Sequence, residues 1–353
     1  MVIKDIISGE TEASPTDGAN LAQPTSKTTT LVTGHTKDED VGWLRESFRG
    51  PEYRLKIYSV DDPNSETDLH TPINKGRETM PILTYIIDSY DDLSDVNIFM
   101  HPHQYAWHTT DTPIPDTVEL IHRLNLARVE RLGYANLRCR WSPGCPVHMD
   151  TGSLEAGNDM PEQTIFGPSF REIFGADAEM PPLMGGACCS QFAATRRQIR
   201  SVPLARWRAM RDWVRDTGLD DGMSGRVFES LWQYVLLGEA VSCPREHLCY
   251  CDAYGLCFGG ADQFEQNEWL LGRRGEISGR VSRLDEAIRE AEEEPEAAED
   301  KSERKDKITM MQDERKRAAI EVERLSAVIE ANTLKAFENG NDPVKRAKEL
   351  AGE

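Results

Sequence analysis

A strand, a helix and a second strand follow one another within residues 53–100, and this pattern restricts the fold more than any other feature. The run YRLKIYSV (53–60) alternates apolar Leu55 and Ile57 with polar residues, which is typical of a strand. The next stretch has apolar residues on one helical face, and VNIFM (96–100) indicates a buried strand. Units of this kind pair their strands in parallel through a right-handed crossover. We therefore predict an α/β fold with a parallel-sheet core and surrounding helices.

The chain divides into three parts by composition. Residues 1–40 are rich in Thr, Ser, Gly and Asp and carry almost no apolar periodicity, so we predict a disordered N-terminal segment. Residues 41–275 hold the strand and helix patterns of the α/β domain. Residues 276–353 are dominated by Glu, Lys, Arg and Ala, with two narrow apolar seams interrupted by EEEPEAAED (292–300). This tail predicts a charged helical hairpin, whose seams are also suited to pairing two copies as a homodimer.

Charge and hydropathy limit the classes of partner. The chain has 61 acidic and 41 basic residues, a formal net charge of −20, which argues against a general nucleic-acid binder. It has no run of about 18 or more apolar residues, so we expect no membrane span. Asp5 interrupts the first apolar run, so we expect no secretory signal. These features predict a cytoplasmic protein whose eight cysteines stay reduced.

A short polar segment, NKGRE (74–78), stands where the predicted helix begins. Lys75 and Arg77 add two cations to the positive end of the helix, and Gly76 allows a ligand to approach the backbone closely. Such a helix start binds anions, for example a phosphate or a carboxylate. The alternative is a loop in which Asn74 only caps the helix.

Three aspartates in the run DDLSD (91–95) separate the helix from the second strand. Carboxylates this close together can hold a divalent ion, bind a cationic substrate or supply a general base with a raised pKa. The alternative is a simple turn, in which Asp is common. Asp91, Asp92 and Asp95 are therefore candidate functional residues.

Three histidines follow the second strand, in HPHQYAWH (101–108). Parallel sheets build their sites outside the carboxyl ends of their strands, where histidine serves as an acid–base group or a metal ligand. His101, His103 and His108 are the candidates. For each of them the alternative is a histidine whose hydrogen bonds are satisfied within a loop.

Cysteines and arginines form two further groups. CPREHLCYCDAYGLC (243–257) holds four cysteines and His247, a set that could bind zinc, although its spacing favours buried free thiols. One arginine band lies within residues 123–140 and a second within residues 196–215. Each band is suited either to a phosphate backbone or to a solvated helix face. The sequence has no P-loop, no GxGxxG and no serine or cysteine nucleophile signature.

Several blocks of the chain resemble one fungal family that was formerly described only as a domain of unknown function. In order along the chain, the blocks are VGWLRE (41–46), INKGRETMPILTYIIDSYDDLSDVNIFMHPHQYAWH (73–108), LRCRWSPGCP (137–146), CCSQFAATRRQI (188–199), DDGMSGRVFESLWQYV (220–235) and CPREHLCYCDAYGLC (243–257). The family is identified with the arginine-containing cyclodipeptide synthases of fungi. The resemblance implies condensation of arginine with a second amino acid, both delivered on tRNA, into a cyclo-Arg-Xaa diketopiperazine for secondary metabolism.

The resemblance also implies roles for individual residues. The family motif Asp-Asp-x-x-Glu falls on Asp91 and Asp92, with Asp95 in the last place, where the charge is kept and the side chain is one methylene shorter. Glu229 is a further catalytic candidate. The expected substrate-binding residues are Asn74, Lys75, Arg77, Glu78, His101, His103 and His108, and the expected tRNA contacts are Arg196, Arg197, Arg200 and Arg208. The implied partners are arginyl-tRNA and a second aminoacyl-tRNA. No cofactor is expected, although the carboxylates would suit a divalent metal.

Two other functions fit the residues. An acidic cluster after a βαβ unit can hold a metal and a nucleotide sugar, with Lys75 and Arg77 on the diphosphate, as in a glycosyltransferase-like enzyme. A non-catalytic interaction protein, with the hairpin as its binding arm, is the other alternative. For the domain we expect a Rossmann-like or glycosyltransferase-A-like sheet. Dependence on charged tRNA would identify the synthase, and dependence on Mn²⁺ and a nucleotide sugar would identify the glycosyltransferase.

Overall fold

The computed structural model of the chain describes residues 27–66, 68–106, 108, 113–153, 160–293 and 301–352. Its strands are β1 Thr29–His35, β2 Tyr53–Ser59, β3 Leu69–His70, β4 Val96–Phe99, β5 Tyr134–Asn136, β6 Met149–Asp150, β7 Leu183–Gly186, β8 Phe192–Thr195 and β9 Val241–Ser242. Six of them form one sheet in the order β3-β2-β1-β4-β8-β5. β1, β2, β3 and β4 are parallel, whereas β8 is antiparallel to both of its neighbours. The predicted α/β class with a mostly parallel core is confirmed.

β1 is an inner strand of the sheet, within the segment that the sequence predicted to be disordered. Leu31 and Val32 pack into different cores, and the threonines between Thr29 and Thr33 are buried beside them. The hydroxyl oxygen of Thr30 lies 2.7 Å from that of Ser94. Disorder is therefore wrong for β1, because β-branched threonines suit a buried strand once their hydroxyl groups are hydrogen-bonded. Most of the remaining N-terminal segment lies outside the described residues.

Helices cover both faces of the sheet. They are α1 Gly42–Ser47, α2 Thr79–Asp88, α3 Thr117–Arg123, α4 Leu126–Leu132, α5 Gln163–Phe174, α6 Arg196–Ser201, α7 Leu204–Asp216, α8 Asp221–Glu229, α9 Trp232–Leu237 and α10 Glu246–Tyr254. One core packs α2, α7, α8 and α9 around the buried indoles of Trp207 and Trp232. The other packs α3, α4 and α10 around Leu120, Val129 and Tyr250. Nearly every residue of α2 is buried, so its first turn is firmly placed against the sheet.

A small second sheet, in the order β6-β7-β9, lies beside the main one. β6 pairs with β7 in antiparallel fashion, and β7 pairs with β9 in parallel. His148 directly precedes β6, and Cys188 follows β7 by two residues. This sheet therefore fixes the positions of two residues that the functional site uses.

The tail forms the predicted helical hairpin, although it begins earlier than residue 276. α11 Ala261–Glu293 and α12 Lys301–Asn341 are antiparallel. Asn267, near the start of α11, is hydrogen-bonded to Asn332, near the end of α12, whereas Arg304, near the start of α12, donates to the carbonyl oxygen of Ala291, near the end of α11. Dimerisation through these helices stays a prediction. No helix in the described part of the chain combines the length and the apolar character that crossing a membrane requires.

The end of the hairpin returns to the domain. α13 Pro343–Leu350 packs against α10, and the buried Glu349 accepts hydrogen bonds from the backbone N–H groups of Phe258 and Gly259. The backbone N–H of Cys257 donates to the carbonyl oxygen of Ala336 in α12 at 3.0 Å. The tail is therefore attached to the domain at both of its ends.

All eight cysteines are paired. The disulfides are Cys139–Cys249, Cys145–Cys243, Cys188–Cys189 and Cys251–Cys257, and no cysteine is free. The prediction of reduced thiols is therefore wrong, and the segment 243–257 has no thiol left for zinc. The fold brings together cysteines that are 110 and 98 residues apart, a proximity that local spacing does not reveal.

Candidate functional site

The carboxyl edge of the sheet opens into a cleft of about 900 Å³, which shares five lining residues with a smaller cavity of about 270 Å³. The smaller cavity is bounded by residues 34–36, around the end of β1, and by His101, just after β4. From β1 the chain passes to β2, on one side of β1, and later to β4, on the other side of β1. The direction in which strands are added to the sheet therefore reverses between β1 and β4. Open α/β sheets bind ligands at such a switch point. The cleft is therefore the candidate functional site.

The N-terminus of α2 faces this cleft. Gly76 and Arg77 adopt left-handed backbone conformations, with φ of 77° and 48°, which turn the chain into the helix. The guanidinium of Arg77 lies 3.7 Å from the carboxylate of Asp221, at the start of α8. A Cβ atom on Gly225 would lie 3.1 Å from the carbonyl oxygen of Gly76, so glycine allows α8 to approach α2 closely.

Only some of the predicted residues of the segment 74–78 lie at the site. Asn74, Arg77 and Glu78 line the smaller cavity. Lys75 does not, because its ammonium group donates hydrogen bonds to the backbone carbonyl oxygens of residues 215 and 217, at the end of α7. The side chain of Lys75 therefore holds two helices together.

Glu78 and His101 form an ion pair in the cleft. Glu78 Oε1 lies 2.9 Å from His101 Nδ1, and His101 Nε2 lies 2.8 Å from the carbonyl oxygen of Cys189. A carbonyl oxygen only accepts, so Nε2 carries a proton. Burial by itself would lower the pKa of His101, but the charge and hydrogen bond of Glu78 outweigh burial and raise that pKa. The same pairing lowers the pKa of Glu78, against the effect of burial.

Glu229, the last residue of α8, lies beside this pair. Its Oε1 accepts a hydrogen bond from the backbone N–H of Cys189 at 2.7 Å. Burial raises the pKa of Glu229 despite this hydrogen bond, and the charge of Glu78 adds to the increase. A carboxyl group with a raised pKa exchanges its proton nearer neutral pH and suits a general acid or base.

A second charged group, which the sequence did not indicate, lines the same cleft. Glu162 Oε1 lies 3.0 Å from His148 Nε2, and Oε2 lies 3.2 Å from Arg226 Nη1. Burial would raise the pKa of Glu162, but His148 and Arg226 lower it, so the carboxylate is ionised. His148 and Glu162 come from the Gly- and Pro-rich stretch 141–187, where no periodicity marks either residue.

The other predicted histidines also line the cleft. His103 Nε2 lies 3.2 Å from Glu39 Oε1. His108 is buried, with its ring centroid 4.1 Å from that of His101. The fold therefore brings all three histidines together and adds Glu39 to the carboxylates around them.

The aspartates of residues 91–95 lie at the opposite edge of the sheet. They precede β4, whereas the histidines follow it, so about 13 Å of strand separates the two groups. Asp91 and Asp92 are exposed, and Asp95 accepts hydrogen bonds from the backbone N–H and the hydroxyl of Thr28. The predicted aspartates and histidines therefore do not form one site, because Asp91, Asp92 and Asp95 do not line the cleft. The order of the elements in the sequence already indicated this position, because the loop that returns from a crossover helix to a parallel strand lies at the amino edge of the sheet.

The predicted tRNA contacts also lie outside the cleft. Arg196 and Arg200 donate hydrogen bonds to backbone carbonyl oxygens at the amino edge of the sheet. Arg197 and Arg208 are exposed on α6 and α7. Of the four predicted contacts, Arg197 and Arg208 therefore stay on the surface, whereas Arg196 and Arg200 are bonded to the domain.

Part of the first arginine band lines a separate cavity of about 720 Å³. Arg128 Nε and Arg131 Nη2 both bind Oδ2 of Asp252, at 3.1 and 2.6 Å. Arg138, which is almost fully buried, donates to the carbonyl oxygen of Ser142 at 2.8 Å. Arg128 and Arg131 therefore join α4 to α10, whereas Arg138 fixes the loop that follows β5.

The described residues contain two groups of side chains close enough to hold a metal ion. They are Cys188, Cys189 and Glu229, and Cys251, Cys257 and Glu349. In both groups the sulfur atoms already form a disulfide, whereas a metal ligand is a thiolate. Neither group contains a predicted aspartate or histidine. The described residues therefore do not locate the divalent metal that the acidic residues suggested.

Comparison with known proteins gives one match. Residues 31–252 match a family described as a protein of unknown function, DUF3431. No curated protein and no solved structure matches the chain. The matched region begins in β1 and ends in α10, so it contains the residues of the cleft and excludes the hairpin. Because this region is more than half of the chain, the protein belongs to the DUF3431 family.

Proposed function

We propose that this protein is an arginine-containing cyclodipeptide synthase, which condenses arginine with a second amino acid, each supplied as an aminoacyl-tRNA. The observation that carries the proposal is the charge of the cleft at the switch point. Its charged lining consists of four histidines, two arginines (Arg77 and Arg226) and four glutamates (Glu39, Glu78, Glu162 and Glu229). An excess of carboxylates suits a cationic substrate, and the guanidinium of arginine presents a fork of donors that carboxylates accept.

The acid–base groups of the cleft fit aminoacyl transfer. The amine of one aminoacyl group attacks the ester carbonyl of the other, so a C–N bond forms and the C–O bond to ribose breaks. Glu229, whose pKa is raised, takes a proton from the amine. The protonated His101, held by Glu78, gives a proton to the leaving ribose oxygen. A second transfer closes the ring, and no ATP is needed because each ester is already activated.

The proposed tRNA contacts are Arg197 and Arg208, which are exposed on α6 and α7. Arg196 and Arg200 support the same surface through their bonds to the domain. The net charge of −20 limits non-specific RNA binding elsewhere. Arginyl-tRNA and a second aminoacyl-tRNA are therefore the proposed partners.

A cytoplasmic location is part of the proposal, because aminoacyl-tRNA is made there. The four disulfides oppose this part, since disulfides are rare in a reducing compartment. Alkylation of free thiols in intact cells, followed by peptide mass spectrometry, tests it directly. Cysteines that remain paired, in a protein that fractionates with a secretory compartment, would reject both the cytoplasmic location and the tRNA substrates.

Product analysis tests the function itself. A host that lacks such pathways should form an arginine-containing diketopiperazine when it expresses the full chain, and ribonuclease should abolish formation in a lysate. Glu229→Gln should abolish product, whereas the matched double variant Asp91→Asn, Asp92→Asn, at the opposite edge, should retain it. Product from free amino acids and ATP that survives ribonuclease would reject the tRNA mechanism. If only the aspartate variant loses product, Asp91 and Asp92 are catalytic residues, as the resemblance implied.

A glycosyltransferase-like activity is the second candidate. The observation that favours it is the start of α2, where Arg77 lines the smaller cavity at the switch point, as a site for a nucleotide-sugar diphosphate requires. Release of a nucleoside diphosphate from a nucleotide sugar, dependent on Mn²⁺ and abolished by Arg77→Ala, would favour this activity over the synthase. Its absence with a panel of nucleotide sugars would remove the second candidate.

A further inference from the structure

The two adjacent cysteines that follow β7 lie between the acid–base groups of the cleft. We propose that the Cys188–Cys189 disulfide is a redox modification site, and that its reduction by a small dithiol withdraws the backbone of Cys189 from His101 and Glu229. The redox proposal rests on the proposed function only where product formation is the readout. Three observations support the redox proposal: the contacts of Cys189, its backbone conformation and its position in the cleft.

Cys189 contacts both acid–base groups through its own backbone. Its N–H donates to Glu229 Oε1 at 2.7 Å, and its carbonyl oxygen accepts from His101 Nε2 at 2.8 Å. Both bonds involve an ionisable partner, and such bonds are stronger than neutral ones. Because both groups belong to one residue, rotation about its φ and ψ angles disturbs both bonds together.

The backbone at this point adopts an uncommon conformation. Cys189 and Ser190 have φ of 84° and 49°, in the left-handed region that residues other than glycine rarely occupy. Such a conformation persists only where the surroundings hold it. The disulfide is one restraint, because it closes a ring through the peptide bond between Cys188 and Cys189. The hydrogen bond from Trp232 Nε1 to Ser190 Oγ, at 3.1 Å, is another. Reduction removes the first restraint at the residue that positions Glu229 and His101.

The disulfide is accessible from the ligand side. Both cysteines line the cleft of about 900 Å³, so a small thiol can reach them, although each residue is mostly buried. The disulfides Cys139–Cys249 and Cys145–Cys243 line the separate cavity of about 720 Å³, and Cys145–Cys243 is the more exposed of the two. Cys188–Cys189 differs from both because its backbone contacts His101 and Glu229. In the reaction, the S–S bond accepts two electrons and two protons and becomes two thiols, while the dithiol is oxidised to its own disulfide.

Graded reduction of the full chain tests the proposal. After each step, free cysteines are mapped by alkylation and mass spectrometry, and the ring signals of His101 are titrated by NMR. We expect product formation to fall about tenfold or more at the step at which Cys188 and Cys189 are alkylated, and not at the step at which another disulfide opens. The titration midpoint of His101 should also move to lower pH, because the carbonyl oxygen of Cys189 favours the protonated ring. A trivalent arsenical, which binds adjacent thiols, should hold the protein in this state.

Two double variants provide the controls. Cys188→Ser, Cys189→Ser should show the low product level and the shifted His101 titration without any dithiol. Cys251→Ser, Cys257→Ser removes another short-range disulfide and should keep the wild-type response to dithiol. An unchanged His101 titration after Cys188 and Cys189 have become free thiols would overturn the proposal. If no form of the protein makes a diketopiperazine, the proposed function fails, and the His101 titration still decides the redox inference.

Discussion

Glu78 Oε1 lies 2.9 Å from Nδ1 of His101, and this contact joins the residue before α2 to the second residue after β4. The lowered pKa of Glu78 contributes stability that is present above the ordinary value of 4.5 and is lost as the pH falls through the lowered value. The raised pKa of His101 contributes stability that is present below the ordinary value of 6.5 and is lost as the pH rises through the raised value. The pair therefore stabilises the fold most between pH 4.5 and 6.5.

The variant Glu78→Gln tests this window. It leaves His101 without its anion, so we expect the free energy of unfolding to fall by about 2 kcal/mol at pH 6. The loss should become smaller as the pH rises through the raised pKa of His101, because a neutral ring no longer attracts the carboxylate. Urea denaturation at pH 6 and pH 9 measures the difference. The exposed Glu46→Gln is a matched control and should change little at either pH. Equal losses at pH 6 and pH 9 for Glu78→Gln would contradict the ion pair.

The ionised carboxylate of Glu229 should lower the stability of the fold, whereas that of Glu78 raises it. The pKa of Glu229 is raised by burial, so its contribution is full below the ordinary value of 4.5 and is lost as the pH rises through the raised value. The neutral side chain of Glu229→Gln still accepts the hydrogen bond from Cys189. We therefore expect this variant to be more stable than the wild type at pH 7, by about 1 kcal/mol, and no more stable at pH 4. Thermal melts at the two pH values measure this, together with the loss of product at pH 7. A variant that is destabilised at pH 7 would show that Glu229 is held as a stabilising anion.

The sequence predicted those parts of the fold and site that local periodicity marks. The alternation in β2, the apolar face of α2 and the apolar run of β4 each follow from residue order. The crossover rule correctly predicted that β2 and β4 are parallel, but their direct pairing is wrong, because β1 lies between them. The position of His101 after β4 then placed it at the carboxyl edge. β1 was missed because its threonines resemble the composition of a disordered segment, and only burial on both faces distinguishes the two.

The rest of the site depends on contacts between distant segments. His148 and Glu162 lie in loops without periodicity, and the disulfide Cys145–Cys243 anchors the first of these loops to the start of the segment 243–257. Neither the distance between these residues nor the pairing of the cysteines follows from local spacing. Asp91 was assigned to the site by its motif, whereas its place before β4 puts it at the amino edge.

The long-range disulfides should contribute much of the stability of the domain. Cys139–Cys249 joins residues 110 apart, and closing a loop of that length in the unfolded chain is worth about 5 kcal/mol. Cys251–Cys257 joins residues 6 apart, for which the same relation gives about 2 kcal/mol. We therefore expect Cys139→Ser, Cys249→Ser to lower the free energy of unfolding by more than Cys251→Ser, Cys257→Ser does. Urea denaturation without reductant measures both. Equal losses in the two variants would show that loop length does not determine the contribution.

The docking of α13 gives the last prediction. Glu349 is 4% exposed and accepts hydrogen bonds from the backbone N–H groups of Phe258 and Gly259, at 3.1 and 2.8 Å. Glu349→Ala leaves both groups without this acceptor, so we expect the free energy of unfolding to fall by about 2–3 kcal/mol. Glu349→Gln keeps an acceptor and should lose less, and the exposed Glu338→Ala should stay within about 0.5 kcal/mol of the wild type. Hydrogen exchange at the amides of Phe258 and Gly259 should become faster in Glu349→Ala alone. If exchange there is unchanged, Glu349 does not protect these amides, and its carboxylate does not anchor α13 to the domain.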